Sequence, residues 1–485
     1  MALFYLINRR PDDIFSFDPD PSMACLAAAI KGAGHDCEVY DYNLFSWNEE
    51  ELFTAVAARK PDVVGFKIVS HLPLSACIEL AKSIREASPT SVIIAGGPHV
   101  TLCGEAIFEI TDVFDILAIG EADRTIVEIA DYVEKKRELA CVRNIIFKDA
   151  GRVVKTEIKY IEDLGELPVP DWSVFNLENY FPIIPISTQR GCIHHCSFCV
   201  SQHMWGKARK RPLQSVLDEI DTVMKRYGAV SFYFTDPTPD VGFLNGICDF
   251  IIRNNLPIKW FAYGHIADFK KLDPARLALA GCKVLLFGIE SGDPRILKMI
   301  GKGFLPQDVK PVFDRFRKEG ISILASFISG FPGEMQESVS MMLKLISESY
   351  PDEFVVEFFK LQPGSPIAND PDRYHITING DLTKNYAAGN ELCWEIDGMP
   401  APLWIKSCWD RFEKMKGNFK LPVQEISLHL TRLLAPLVGM RENDFLEHWC
   451  KIWNEKPDLP AIKALIEKSW EGSRARVEHK SLDLP

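Results

Sequence analysis

Along the first third of the chain, short apolar runs alternate with stretches whose apolar residues recur at helical spacing. Runs at 3–8, 36–42, 62–68, 91–95 and 114–119 read as strands, with helices at 21–33, 49–59 and 74–87 between them. Such alternation predicts a parallel sheet covered on both faces by helices. Two further runs, 144–148 and 152–157, flank Asp149, Ala150 and Gly151 and predict a β-hairpin. From Ile184 the alternation resumes, with strands expected at 184–188, 231–235, 258–263, 284–289, 323–328 and 354–359 and helices such as 213–226 and 305–319. After Ile367 it stops. Aromatics become dense there, and helices are expected at 402–415, 423–438, 442–454 and 460–470. The expected organisation is an α/β domain over 1–140 and a connector over 141–183, held extended by Pro168 and Pro170. A second α/β region over 184–367 and a helical C-terminal domain over 368–485 follow.

Composition narrows the class. The chain has 485 residues, 47% apolar and 25% charged, as in soluble globular proteins of several domains. No run approaches the roughly 18–20 apolar residues of a membrane-spanning helix. The N-terminus lacks the basic-then-apolar order of a signal peptide and reads as a buried strand. Thirteen cysteines, an odd number mostly scattered singly, suit a reducing cytoplasm. The net charge of −12 argues against non-specific nucleic-acid binding. The one dense basic patch spans Lys207 to Arg211. It is open to three readings: a weak nucleic-acid site, a solvated loop or local anion contact, or a contact to a ligand carboxylate.

The chemistry concentrates at Cys192, Cys196 and Cys199, spaced by three residues and then two on a loop that begins at Gly191. A structural zinc wants four protein ligands. A 4Fe–4S cluster can be held by three thiolates, with one iron left open. Three buried core thiols are the remaining reading. The Cys-x3-Cys-x2-Cys spacing, with Phe198 just before the last cysteine, resembles the signature of the radical S-adenosylmethionine (radical SAM) superfamily. The resemblance implies a cluster whose open iron binds SAM and whose electron releases a 5′-deoxyadenosyl radical. It also implies an external electron donor of flavodoxin or ferredoxin type.

Later motifs fall at expected strand ends, where parallel barrels collect function. Gly288-Ile289-Glu290-Ser291-Gly292, Gly301-Lys302-Gly303 and Gly330-Phe331-Pro332-Gly333-Glu334 match the superfamily in order. The resemblance implies a partial (β/α)6 barrel with Phe198, Asp236, Glu290, Ser291, Gly330 and Pro332 lining the SAM site. Asp236 and His265 are candidates near the substrate, although Asp236 also suits a turn and His265 simple packing.

Residues 1–140 resemble the Rossmann-like cobalamin-binding domain attached to one class of these enzymes. The resemblance rests on Leu26-Ala27-Ala28-Ala29, Gly34-His35, Val39-Tyr40-Asp41, Val63-Val64-Gly65-Phe66, Gly96-Gly97-Pro98-His99 and Ile119-Gly120-Glu121. It departs in lacking the Asp-x-His-x-x-Gly motif whose His ligates cobalt. What it implies is a corrin contacted by Ser70, His71, Gly96, Gly97, His99 and Glu121. His71 is either a cobalt neighbour or a loop histidine near solvent, and Glu121 is either a ligand contact or a helix cap. The whole resemblance implies methylation of an unactivated carbon of a small molecule in secondary metabolism, by a cytoplasmic enzyme using cluster, SAM and cobalamin. The alternatives are cyclisation, oxidation or ring rearrangement with the same cofactors, a degenerate N-terminal scaffold, and a non-catalytic binding protein. A second cluster at Cys393, Cys408 and Cys450 is disfavoured by their wide spacing.

Overall fold

The computed structural model describes residues 1–9, 18–41, 49–70, 73–422 and 464–474 apart from 465 and 472. Five parallel strands form the first sheet: Leu3–Asn8 (β1), Asp36–Asp41 (β2), Val63–Lys67 (β3), Val92–Gly96 (β4) and Ile116–Ala118 (β5), in the order β2-β1-β3-β4-β5. β1 is apolar almost throughout and buried along its length, as a strand covered on both faces must be. The helix Pro21–Gly32 follows β1. Asp20 starts it by accepting from the Ser22 and Met23 amides at 2.9 and 3.2 Å, and Pro21 occupies its first turn. Chain order reverses between β1 and β3, which puts a crevice at the carboxyl ends of the strands.

The hairpin expected in the connector belongs to this sheet. Ile145–Asp149 (β6) and Arg152–Lys155 (β7) add to β5 as antiparallel strands, so the sheet has seven strands and the boundary at 140 falls too early. Periodicity identifies a hairpin but not the edge it pairs with. The rest of the connector packs on both sides of it. The Asp171 amide donates to the Ala24 carbonyl at 3.0 Å, Tyr180 Oη donates to Asp41 at 2.7 Å, and the Trp172 indole donates to Glu219 at 3.0 Å.

The second sheet has six parallel strands: Ile183–Ile186 (β8), then, after the short pair Gln189–Arg190 (β9) and Arg209–Lys210 (β10), Ser231–Phe234 (β11), Lys259–Gly264 (β12), Cys282–Glu290 (β13), Ser322–Ser329 (β14) and Glu353–Phe358 (β15). Their order, β15-β14-β13-β12-β11-β8, follows the chain, and the end strands do not pair with each other. This is the open six-unit barrel that the sequence pattern implies. Beyond it, the expected all-helical C-terminal domain begins differently. Ile376–Ile378, Trp394–Ile396 and Met399–Pro400 form a small antiparallel sheet before the helix Ala401–Lys416. These strands have only two or three residues, too few to register as alternation. The helices expected at 423–438 and 442–454, and residues 460–463 and 465 of that expected at 460–470, lie outside the described residues. Among the described residues no helix is long and apolar enough to cross a membrane.

Candidate active site

The cysteine loop leaves β8 through a turn that Asp236 organises. Asp236 ends β11 and is 1% exposed. It accepts from the Thr188 amide at 2.9 Å, Thr188 Oγ1 at 2.6 Å, the Gln189 amide at 3.0 Å and Ser187 Oγ at 3.4 Å. Burial pushes its carboxyl up to about 6 against these hydrogen bonds. The lone pairs that a SAM amino group or substrate would need are committed to the turn. β9 and β10 then close the base of the loop as an antiparallel pair, with Arg190 directly opposite Arg209. Gly191 opens the loop at φ +78°, where a Cβ would lie 3.1 Å from the Lys207 carbonyl oxygen.

Two backbone bonds fix the loop to segments that follow β13 and β15. The Ser197 amide donates to Ile300 O at 2.9 Å, and the Ile367 amide donates to Ser197 O at 2.8 Å. Burial raises all three thiols, Cys196 to about 11. Neighbouring cysteine sulfurs raise Cys192 and Cys196 further, whereas the Lys302 ammonium lowers all three. Three mutually interacting thiols beside a buried cation are a fitting donor set for a cluster that takes them as thiolates.

Glu290 and Lys302 form a buried pair next to that loop, 2.9 Å apart. Burial alone would lower the Lys302 ammonium, but Glu290 and the cysteine sulfurs outweigh it and the net shift is upward. Glu290 ends β13 with φ +68°, beyond a register shift against β14. The flanking glycines have packing causes. A Cβ on Gly288 would meet Glu290 Oε1 at 2.5 Å, and one on Gly292 would meet the Met341 carbonyl oxygen at 2.4 Å. Ser291 is buried and accepts from the Asp293 amide at 3.1 Å. Phe198 packs edge-on against Phe331, with ring centroids 5.4 Å apart. Gly330, at φ +95°, accepts from the Trp404 indole at 2.7 Å. Pro332 lies two residues beyond, at the same strand end.

His265 packs against the cysteine loop. It is 4% exposed and stacks on His194 of the cysteine loop, with ring centroids 3.6 Å apart and planes 16° from parallel. His194 in turn contacts Asp268 at 2.6 Å. The three side chains lie within 4.8 Å of one another. However, nearly parallel stacked imidazoles do not aim in-plane lone pairs at one ion, so the group reads as packing under the loop.

A cavity of about 370 Å³ opens between the carboxyl ends of the two sheets. From the first sheet it is lined by Lys67, Gly96, Gly97, Gly120, Glu121 and Asp123, and from the second region by Ser187, Gln189, Arg190, Gly191, Trp205 and Asp236. Gly97 requires its lack of a side chain. It has φ +99°, and a Cβ would lie 2.8 Å from the Ile68 carbonyl oxygen. Of the residues expected at the corrin, Gly96, Gly97 and Glu121 line this cavity. Ser70 does not line it. His99 is buried against Cys103 and the Tyr386 ring, its own centroid 5.6 Å from that ring. His71 lies outside the described residues.

Glu121 is not free for a ligand. Arg209 grips it with two bonds at 2.6 and 3.0 Å, and the Ile161 amide donates to it at 2.7 Å. Beside it, Arg190 pairs with Asp123 at 2.7 and 2.8 Å. The arginines of the basic patch thus lie in buried ion pairs, since Arg211 also reaches Glu219 at 2.6 Å, while Lys207 and Lys210 pair with Glu162 and Asp240 nearer the surface. Sequence reasoning sees the acids and the arginines but not their pairing across 67 and 88 residues. The one available signal is an acidic doublet spaced by two and a basic residue next to the cysteines. Cys393 and Cys408 are buried single thiols, with burial pushing Cys408 up to about 12.

The radical SAM superfamily model matches residues 186–346, and the B12 binding domain model matches residues 17–130. The chain is a radical SAM enzyme with a cobalamin-binding domain. Two curated relatives are similar to this chain in sequence. An uncharacterized methyltransferase of Pyrococcus horikoshii is 29% identical over 67% of this chain and 72% of its own. The anaerobic magnesium-protoporphyrin IX monomethyl ester cyclase of Rubrivivax gelatinosus is 26% identical over 69% of this chain and 63% of its own. Among solved structures, a radical SAM methyltransferase from Kitasatospora setae, with cobalamin and a 4Fe–4S cluster bound, superposes with TM-score 0.72. It covers 98% of this chain and 100% of its own at 16% identity, which establishes a shared fold. The cofactors of the chain are a 4Fe–4S cluster, SAM and cobalamin.

Proposed function

We propose that this enzyme methylates an unactivated carbon of a small molecule. The observation that carries the reading is the shared cavity, which receives the strand ends of both sheets and the flank of the cysteine loop. Cys192, Cys196 and Cys199 hold the cluster. Phe198, Glu290, Ser291, Gly330 and Pro332 shape the SAM side, with Glu290 presented by its pairing to Lys302. Gly96 and Gly97 would take the cobalamin against the cavity wall they line, where glycine lets the backbone approach closely. When bound, cluster and SAM supply hydrogen-atom abstraction and cobalamin supplies the methyl group. The protein's part is to hold these groups around one space and to exclude water from it. Asp236 and the two arginine–carboxylate pairs do this by fixing the loop backbone.

The test is anaerobic turnover with SAM labelled in its methyl group and a panel of candidate substrates. Label in the product, together with 5′-deoxyadenosine, supports methylation. A modified product without label supports the second reading, cyclisation or oxidation, which the cyclase relative favours. An electron donor of flavodoxin or ferredoxin type, and a cytoplasmic location, complete the proposal.

A further inference from the structure

Arg190 and Arg209 sit opposite each other in the ladder that closes the base of the cysteine loop. Like charges directly opposite destabilise a strand pair. No acid in this two-residue ladder offsets them. Their counter-ions come from the other domain. Glu121 and Asp123, two residues apart, take one arginine each, and Arg190 also lies 3.6 Å from Glu121. All four side chains are buried or nearly so. The segment that supplies the acids is also cavity wall. Gly120, at φ +69°, donates to Thr101 Oγ1 at 3.0 Å, and both residues line the space between the sheets. Arg190 and Gly191 line it from the other side, one residue before Cys192. The Arg190 guanidinium lies 5.9 Å from the Trp205 ring centroid, another wall residue.

We infer that this four-membered ion cluster couples cobalamin binding to the ordering of the cluster loop. The inference rests on the cofactor reading above. A ligand that orders 120–123 places the two carboxylates. The carboxylates neutralise the base of the loop and pre-set the register in which its cysteines meet the iron–sulfur cluster. Linkage makes the effect reciprocal, so a loop ordered by its cluster raises affinity for cobalamin by the same factor. Glu121, Asp123, Arg190 and Arg209 are positioning residues in this account, acting through the backbone they hold.

The test is an anaerobic titration of the full-length protein with hydroxocobalamin, with and without reconstituted cluster, followed by absorbance. Iron content is measured in parallel. Native protein should bind cobalamin about tenfold more tightly when the cluster is present, in the usual range for coupled sites. In Asp123→Asn the two affinities should converge to within about twofold. The exchange Asp123→Arg with Arg190→Asp keeps the charges balanced and should restore the difference, which guards against a merely misfolded single variant. Equal cobalamin affinities in native protein with and without cluster would overturn the inference while leaving both cofactors in place. A native ratio that persists unchanged in Asp123→Asn would also overturn it. Native protein that takes up neither cofactor would instead remove the functional reading itself.

Discussion

Around the shared cavity the second region offers side chains, and the N-terminal sheet offers backbone. Just beyond the cavity wall at Gly191, one side brings Cys192, Cys196, Cys199 and the Glu290–Lys302 pair, groups suited to ligate or carry charge. The other brings Gly96, Gly97 and Gly120, and its one carboxylate pair is spent on holding the opposite loop. The difference follows from what each side has to bind. A cluster needs thiolates in a fixed constellation. A large flat cofactor needs a surface without protrusions, and glycine at positive φ makes one.

Variants acting on one side should spare the binding groups of the other, apart from the about tenfold coupling inferred above, and this separation can be broken in order of severity. Cys196→Ala removes a thiolate from the side-chain half. Formation of 5′-deoxyadenosine should fall to background and iron content should drop, while hydroxocobalamin still binds. Glu121→Gln leaves Arg209 buried and uncompensated. Loss of one partner from a buried pair costs about 3–5 kcal/mol, so thermal unfolding should shift down clearly, and the two halves should fail together because this residue joins them. Gly97→Ala strikes the backbone half. Its strained φ and contact with the Ile68 carbonyl should cost about 1–3 kcal/mol and weaken cobalamin binding. Iron content should stay at the native level.

The same contrast explains what could be read from sequence. The side-chain half announces itself, because cysteine spacing and strand-end motifs carry the chemistry in residue identity. The strands and helices of both α/β regions also follow from alternation. The backbone half is quieter. Gly96 and Gly97 stand at the strand end and line the cavity, but His99 turns into the core toward Tyr386, and a lone histidine carries no mark of its direction. Glu121 looks like a ligand contact until Arg209 is seen across 88 residues. Gly288 looks like room for a ligand, and it is room for the Glu290 carboxylate. Pairings between distant segments have no periodicity, so neither these nor the hairpin's place at the edge of β5 was legible.

The smallest effect concerns the packing beneath the cysteine loop. Burial, then Lys302 and His194, lower the His265 imidazole from 6.5 to about 3. Between these values the unfolded chain binds more protons than the folded one, so stability is complete above 6.5 and falls as the pH drops toward 3. His265→Asn keeps an acceptor for the Ala267 amide and removes the titration. In denaturant unfolding of the apoprotein between about pH 7 and 5, the native chain should lose about 1.4 kcal/mol per unit below its unfolded pKa relative to this variant.

The central claim is that one cavity holds both cofactors, and electron paramagnetic resonance tests it most directly. Protein loaded with cluster and cobalamin is reduced until both are paramagnetic. The account predicts that the cob(II)alamin and reduced-cluster signals split or broaden each other, as neighbouring spins do. A spectrum equal to the sum of the two singly loaded proteins would contradict it.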